Sequence, residues 1–323
     1  MIYKDKMIIS IYFLGLLLLI SSCNGYSSNK NSNQIATTQI FTPTTITGTE
    51  VPSNKLVETQ SLNFKQYYDK GIELLQKGDI EGALNSFNQA IEINPNDFDT
   101  YIKRGAVKDS LGDFEGALQD FNKAIELAPN QPLAYNARGN HFANQYNTEL
   151  ALADYNKAIE LDPSLPQVYV NRAAIYSLTG DYEKANLDFD KAQELDPELP
   201  SIYYNRGIML GDQQDYEGAS KQFSKYIELN PEDPFGYYYL ASTYAELGNY
   251  DNGLFYINQS IKLNDKIDQF YLLRAKIYTQ KRLIENAVAD LNKVLAISQD
   301  EDLRAQATDL LQQLGVSVTP VAP

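Results

Sequence analysis

Side chains able to do chemistry are sparse in this chain. One histidine, His141, and one cysteine, Cys23, occur among 323 residues. A disulfide needs two thiols and a structural zinc site typically takes four Cys or His ligands, so neither forms within one chain. No phosphate-cradling G-x-x-x-x-G-K, no G-x-S-x-G and no H-E-x-x-H is present. Acid pairs such as Asp188 with Asp190, or Asp97 with Asp99, lack the calcium-loop pattern and read as a solvated helix face and a loop. His141 is expected to pack or to face solvent. No catalytic residue, metal or cofactor is expected, so the chain does not read as an enzyme. The balance of 27 Lys+Arg against 42 Asp+Glu, a formal charge of -15, removes the basic surface on which capture of nucleic acid depends.

One charged pattern remains. Arg104, Arg138, Arg172 and Arg274 are followed sixteen residues later by Asp120, Asp154, Asp188 and Asp290. Where the arginine is lost, at Leu240, the acid is lost too, at Tyr256. Joint loss points to mutual dependence, so the pairs read as salt bridges between helices, within one helix pair or between neighbours. A row of ligand-binding arginines is the other reading.

What positions these residues is a repeat. Pro95, Pro129, Pro163, Pro197 and Pro231 recur every 34 residues, and the register continues to Asp265 and Gln299. Twenty-eight residues before each mark stands tyrosine, from Tyr67 to Tyr271, and four residues after each tyrosine a small residue, from Gly71 to Ala275. Twelve before the mark is Ala or Gly, and eight before it is a large apolar residue, such as Phe87, Phe121, Tyr155, Phe189 and Phe223. Spacing of four puts each couple on one face of a helix. Gly78-Asp79, Gly112-Asp113, Gly180-Asp181 and Gly248-Asn249 separate the helices. Glycine suits the left-handed end of the first, and Asp or Asn caps the second. Proline then ends the second helix. No pair buries both stripes alone, so the pairs must stack. Repeats are expected at about 64–97, 98–131, 132–165, 166–199, 200–233, 234–267 and 268–300, within an array over 61–299. Leu303, Ala307, Leu310, Leu311 and Leu314 give a capping helix over 301–314, before a loose tail, 315–323.

These residues resemble the tetratricopeptide repeat, over roughly 62–299. The sixth and seventh units lack the proline, and Tyr226, Ser260 and Val294 stand where a small residue is usual. The resemblance implies an all-α fold, a right-handed superhelical solenoid of about seven helix pairs plus a C-terminal capping helix. It also implies that first helices line a concave wall that receives an extended peptide or a helix. On that face, one, two and five residues after the tyrosine, lie Asn136, Asn140, Asn171, Tyr204, Asn205, Tyr238 and Tyr239. An amide both donates and accepts, so spaced asparagines suit a peptide backbone of any sequence. Adjacent tyrosines would add flat surface with a polar tip. The row resembles the asparagine ladders of some family members. The family's basic clamp for a terminal carboxylate is missing, because the counterparts of Lys103 are Asp69, Ala137, Asn171, Asn205, Tyr239 and Leu273. The expected function is a scaffold or adaptor that binds partner proteins on the concave face. The alternative is a regulatory or targeting subunit of a cell-envelope enzyme complex, such as a cell-wall hydrolase, a protease or assembly machinery.

The N-terminus carries an address. Met1 to Lys6 hold two lysines, and Met7 to Ile20 are uncharged and mostly apolar, the form of a secretory signal. That run is shorter than the roughly 20 residues a membrane-spanning helix needs. Ile20-Ser21-Ser22-Cys23 resembles the bacterial lipobox, which implies cleavage of a signal peptide, 1–22, and acylation of Cys23. The expected location is the bacterial cell envelope, lipid-anchored and facing the periplasm or the exterior. Of the 37 residues from Asn24 to Gln60, 20 are Ser, Thr, Asn or Gln. Such a stretch buries too little apolar surface to offset its ordering entropy, so 23–60 reads as a lipidated cysteine and a disordered tether.

Overall fold

Glycine and asparagine punctuation every 34 residues translates directly into helix ends. The computed structural model describes residues 53–316, and every element among them is helical. The signal peptide, Cys23, the tether as far as residue 52 and the tail from residue 317 lie outside the described residues. The chain divides at Pro163/Ser164 into two compact units. The first holds three antiparallel pairs: α1 (Ser53–Gln76) with α2 (Ile80–Ile93), α3 (Phe98–Ser110) with α4 (Phe114–Leu127), and α5 (Pro132–Asn144) with α6 (Thr148–Leu161). The second holds four: α7 (Pro166–Leu178) with α8 (Tyr182–Leu195), α9 (Pro200–Asp212) with α10 (Tyr216–Leu229), α11 (Pro234–Glu246) with α12 (Tyr250–Leu263), and α13 (Asp268–Gln280) with α14 (Ile284–Ile297). A last helix, α15 (Glu301–Gln313), follows them. No described helix is long and apolar enough to cross a membrane.

One boundary differs from expectation. Helix α1 begins at Ser53, so residues 53–60, read as tether, are helical. Polar composition hid this: Lys55, Leu56, Glu58 and Gln60 are good helix formers once an adjoining segment supplies the nucleus.

Within each pair the turn works as its residues require. Asp79, Asp113, Asn147, Asp181, Asp215 and Asn249 each accept a hydrogen bond from the amide three residues on, capping the second helix. The residue before each cap is left-handed. Glycine fills that place at 78, 112, 180 and 248, but Tyr146, Gln214 and Arg282 adopt it with φ of 58°, 63° and 58°. Pro132, Pro166, Pro200 and Pro234 start first helices, where a missing amide proton costs nothing.

The core is a ring set on bare backbone. A β-carbon on Gly105 would lie 2.8 Å from the Phe121 ring, and one on Gly139 would lie 2.7 Å from Tyr155. The small residue of the first helix therefore exists to admit the aromatic of the second. Tyr226, where a small residue is usual, is housed the same way: a β-carbon on Gly236 would come within 2.7 Å of it. Ser260, another departure, is buried and donates to the Pro234 carbonyl at 2.8 Å. Leu303, Ala307 and Leu311 of α15 close the second unit against Tyr271, Leu272, Leu291 and Val294.

Burial also shapes the titration of the tyrosines. Desolvation pushes the phenols of Tyr155, Tyr226 and Tyr238 well above their usual range, with Asp154 and Asp233 adding to it at Tyr155 and Tyr226. In the unfolded chain these phenols ionise near pH 10, while the folded state keeps them neutral. Their contribution is thus complete below about pH 10 and is lost as pH rises toward the folded values, on the order of 1 kcal/mol per pH unit for each. Urea unfolding at pH 9 and pH 11 should show this loss. Tyr238→Phe should make the fall shallower.

Candidate functional site

Two sets of polar side chains run through the repeats, and they behave differently. In the first, the carboxylates of Asp120, Asp154, Asp188 and Asp290 are buried, and each is gripped at both oxygens by the arginine sixteen residues earlier. Distances run from 2.7 to 2.8 Å, and both partners belong to one helix pair. The remaining guanidinium nitrogen of Arg104, Arg138 and Arg274 donates to Asn88, Asn122 and Asn258 of the preceding pair. Each of the four guanidinium groups also lies over the repeat's first tyrosine, 5.4 to 5.9 Å from the ring centre. Hydrogen bonds donated to the acids, outweighing burial, raise Arg138, Arg172 and Arg274 above their ordinary value. These arginines join helices.

Repeat five shows the same need met differently. Residue 222 is Gln, so Arg206 has no acid sixteen residues on. Its Nη2 instead reaches Asp190 of the preceding pair, in the register where Asn88, Asn122 and Asn258 stand. Asp188 and Asp190, read from sequence as a solvated face, thus serve two different arginines. Asp97 caps α3 through the Thr100 amide, and Asp99 accepts from the Tyr68 hydroxyl.

The second set is the asparagine and tyrosine row, and here the structure corrects the reading. Tyr204, Tyr238 and Tyr239 are buried and offer no flat surface. Rings one and two residues after the repeat tyrosine fall between neighbouring helices of the second unit. Tyr204 meets Tyr239 edge-on at 5.4 Å, and Tyr238 meets Phe270 at 5.4 Å. Asn171 is buried as well.

Asn136, Asn140 and Asn205 are half-buried. Asn140 Oδ1 accepts from the Tyr155 hydroxyl at 2.8 Å in the first unit. In the second unit a chain of hydrogen bonds links α7 and α9. Asn205 donates to the Ser201 carbonyl, the Ser201 hydroxyl to Gln167 Oε1 at 2.9 Å, and Gln167 Nε2 to Asn171 Oδ1 at 2.8 Å. Gln167 and Ser201 were missed in the sequence, although both stand four residues ahead of an asparagine and 34 apart. Gln167, Ser201 and Asn205 remain partly open to solvent. Asn205 uses one amide proton, leaving its oxygen and second proton available among the described residues.

His141 is buried, with Nδ1 2.7 Å from Asp109 and its ring beside Phe121 and Phe142. It joins α5 to α3. Lys103 is buried too, rather than displayed on a wall.

Sequence models described as TPR repeat or tetratricopeptide repeat match residues 71–108, 110–145, 147–180, 166–199, 200–233, 223–254 and 268–301. A search of curated proteins finds no match. Among solved structures, the chain is similar to a tetratricopeptide repeat protein from Parabacteroides merdae, with 21% identity and a TM-score of 0.58 over 78% of this chain and 99% of that one. It is also similar to yeast Tom70, at 22% identity and a TM-score of 0.61, over 81% of this chain and 56% of that one. Similarity to a structure of Pseudomonas aeruginosa PilF, at 20% identity and a TM-score of 0.57, covers 67% of this chain and 97% of that one. At these identities the likeness concerns the fold.

Proposed function

Because the chain belongs to the tetratricopeptide repeat family, we propose that it is a non-enzymatic scaffold that holds partner polypeptides on the polar face of its first helices. The observation that carries this is the linked row Asn171, Gln167, Ser201 and Asn205. Its members hold each other's orientation, so a peptide backbone would meet amides already in place rather than rotors to be fixed. Amides and hydroxyls recognise backbone without regard to side chains, which suits a partner bound in extended form. In the first unit, Asn136 and Asn140 place further amides on α5, at half-buried positions.

Affinity recovery with wild type beside Asn205→Ala, at a part-exposed member of the row, tests this reading. Loss of a protein that wild type retains is expected, with unchanged thermal stability. Equal recovery of the same proteins would sink it.

The scaffold would act at a membrane. Cys23, behind Ile20-Ser21-Ser22, supports acylation and anchoring on the outer side of a bacterial membrane. The polar residues after it would set the helical repeats off from the surface. Palmitate labelling of cells should tag the protein, and Cys23→Ser should abolish the label and move the protein out of the membrane fraction. A Cys23→Ser protein that still sediments with membranes would refute the anchor.

A further inference from the structure

A different surface lies on the edge of the first unit where the helices of a pair turn. At the left-handed position before the cap, glycine stands at 78 and 112 with φ of 77° and 82°, but the third pair places Tyr146 there with φ of 58°. A β-carbon is disfavoured in this conformation, and a bulky ring all the more. Tyr146 is nevertheless 49% exposed, so burial of its ring does not explain its presence. Other large apolar side chains on the turns of the second and third pairs are open too: Leu150 is 44% exposed, Leu111 44% and Phe114 36%. The His141–Asp109 contact ties α5 to α3 near the ends that lead into the turns at 145–147 and 111–113.

The rim of this patch is acidic. Asp113, Glu115 and Glu149 are exposed. No lysine or arginine occurs between Lys108 and Lys123, or between Arg138 and Lys157. Lys108 itself is turned inward, 2.9 Å from Asp120 and 3.3 Å from the Gly116 carbonyl. An apolar patch with a polar rim is the usual form of a docking site, and a rim of one sign selects a partner of the other. A second copy of this chain would bring acids to acids.

We propose that these turns dock a basic amphipathic helix of a partner protein. Its apolar face covers Tyr146, Leu150, Leu111 and Phe114, and its lysines or arginines meet Asp113, Glu115 and Glu149. The site is separate from the amide face of the first helices and does not depend on it.

The test uses the full chain and three labelled helical peptides followed by fluorescence anisotropy. One carries Leu on one face and Lys on the other, the second has Glu for Lys, and the third has Ser for Leu. The Leu/Lys peptide is expected to bind, more weakly as salt rises, and at least about tenfold more tightly than either relative. Tyr146→Gly combined with Leu150→Ser should weaken it about tenfold. Tyr146→Gly alone should weaken binding while the melting temperature holds or rises, because glycine accepts the left-handed turn. Leu187→Ser, at a residue 64% exposed in the other unit, should change nothing. Equal binding of the Glu peptide, unchanged binding by the Tyr146 variants, or an equal loss from Leu187→Ser would overturn the proposal.

Discussion

Asp120→Ala is expected to lower the free energy of unfolding by about 3 kcal/mol. Asp120 is 3% exposed and holds Arg104 at 2.7 and 2.8 Å and Lys108 at 2.9 Å. Truncation leaves two cations without their counter-charge in a largely enclosed site. Their side chains are 17% and 18% exposed, so water reaches them in part, which places the cost at the low end of the range for broken buried pairs. Asp120→Asn keeps the shape and one acceptor and should cost less. Arg104→Met with Asp120→Leu should recover only part of the loss, since the guanidinium is gone but Lys108 still lacks its counter-charge. Glu160→Ala, which breaks the exposed pair with Lys157, should stay within about 0.5 kcal/mol. Urea unfolding of the four variants gives the comparison, and equal effects at Asp120 and Glu160 would show the buried pairs to be dispensable.

Phe223→Ala should cost more, about 4 kcal/mol. The ring is fully buried, stacks on Tyr239 at 5.5 Å with planes 15° apart, and meets Tyr204 edge-on. It also lies on Gly207, where a β-carbon would come within 2.8 Å. Bare backbone on one side and large rings on the other leave little room to collapse into the space, so most of the cavity should remain. Phe255→Ala, at a ring 57% exposed on α12, should change stability by less than about 1 kcal/mol. Similar losses at Phe223 and Phe255 would contradict the picture of rings seated on small residues.

How much of this could be read in advance differs by element. Turns and caps were legible because each rests on one residue's own chemistry: Asp113 caps the helix that starts at Phe114 by accepting from the amide of Gly116, three residues on. The joint loss of Arg and Asp in repeat six pointed to pairing, yet spacing alone left open which helices are joined. The shift of Arg206 from its own pair to Asp190 was less visible, because it depends on Gln222 and Asp190 together, 32 residues apart. Tyr204, Tyr238 and Tyr239 were misplaced for a geometric reason. Whether a residue two positions past the tyrosine faces solvent or the next first helix depends on how closely those helices approach, and periodicity does not encode that distance. The same closeness enclosed Asn171 and left Gln167, Ser201 and Asn205 as the accessible polar row. His141 was unreadable because its partner, Asp109, lies 32 residues away, off the 34-residue register by two.

Under the proposed function, partners contact the first helices of the repeats through this polar row. The most direct measurement places a photoreactive benzoylphenylalanine at residue 212 on α9, two turns beyond Asn205 on the same face, or at residue 221 on α10, and maps crosslinked peptides after irradiation in cells. The polar-row account predicts partner crosslinks from residue 212 and none from residue 221, although Lys221 is exposed. Partners captured from residue 221 while residue 212 stays silent would contradict it.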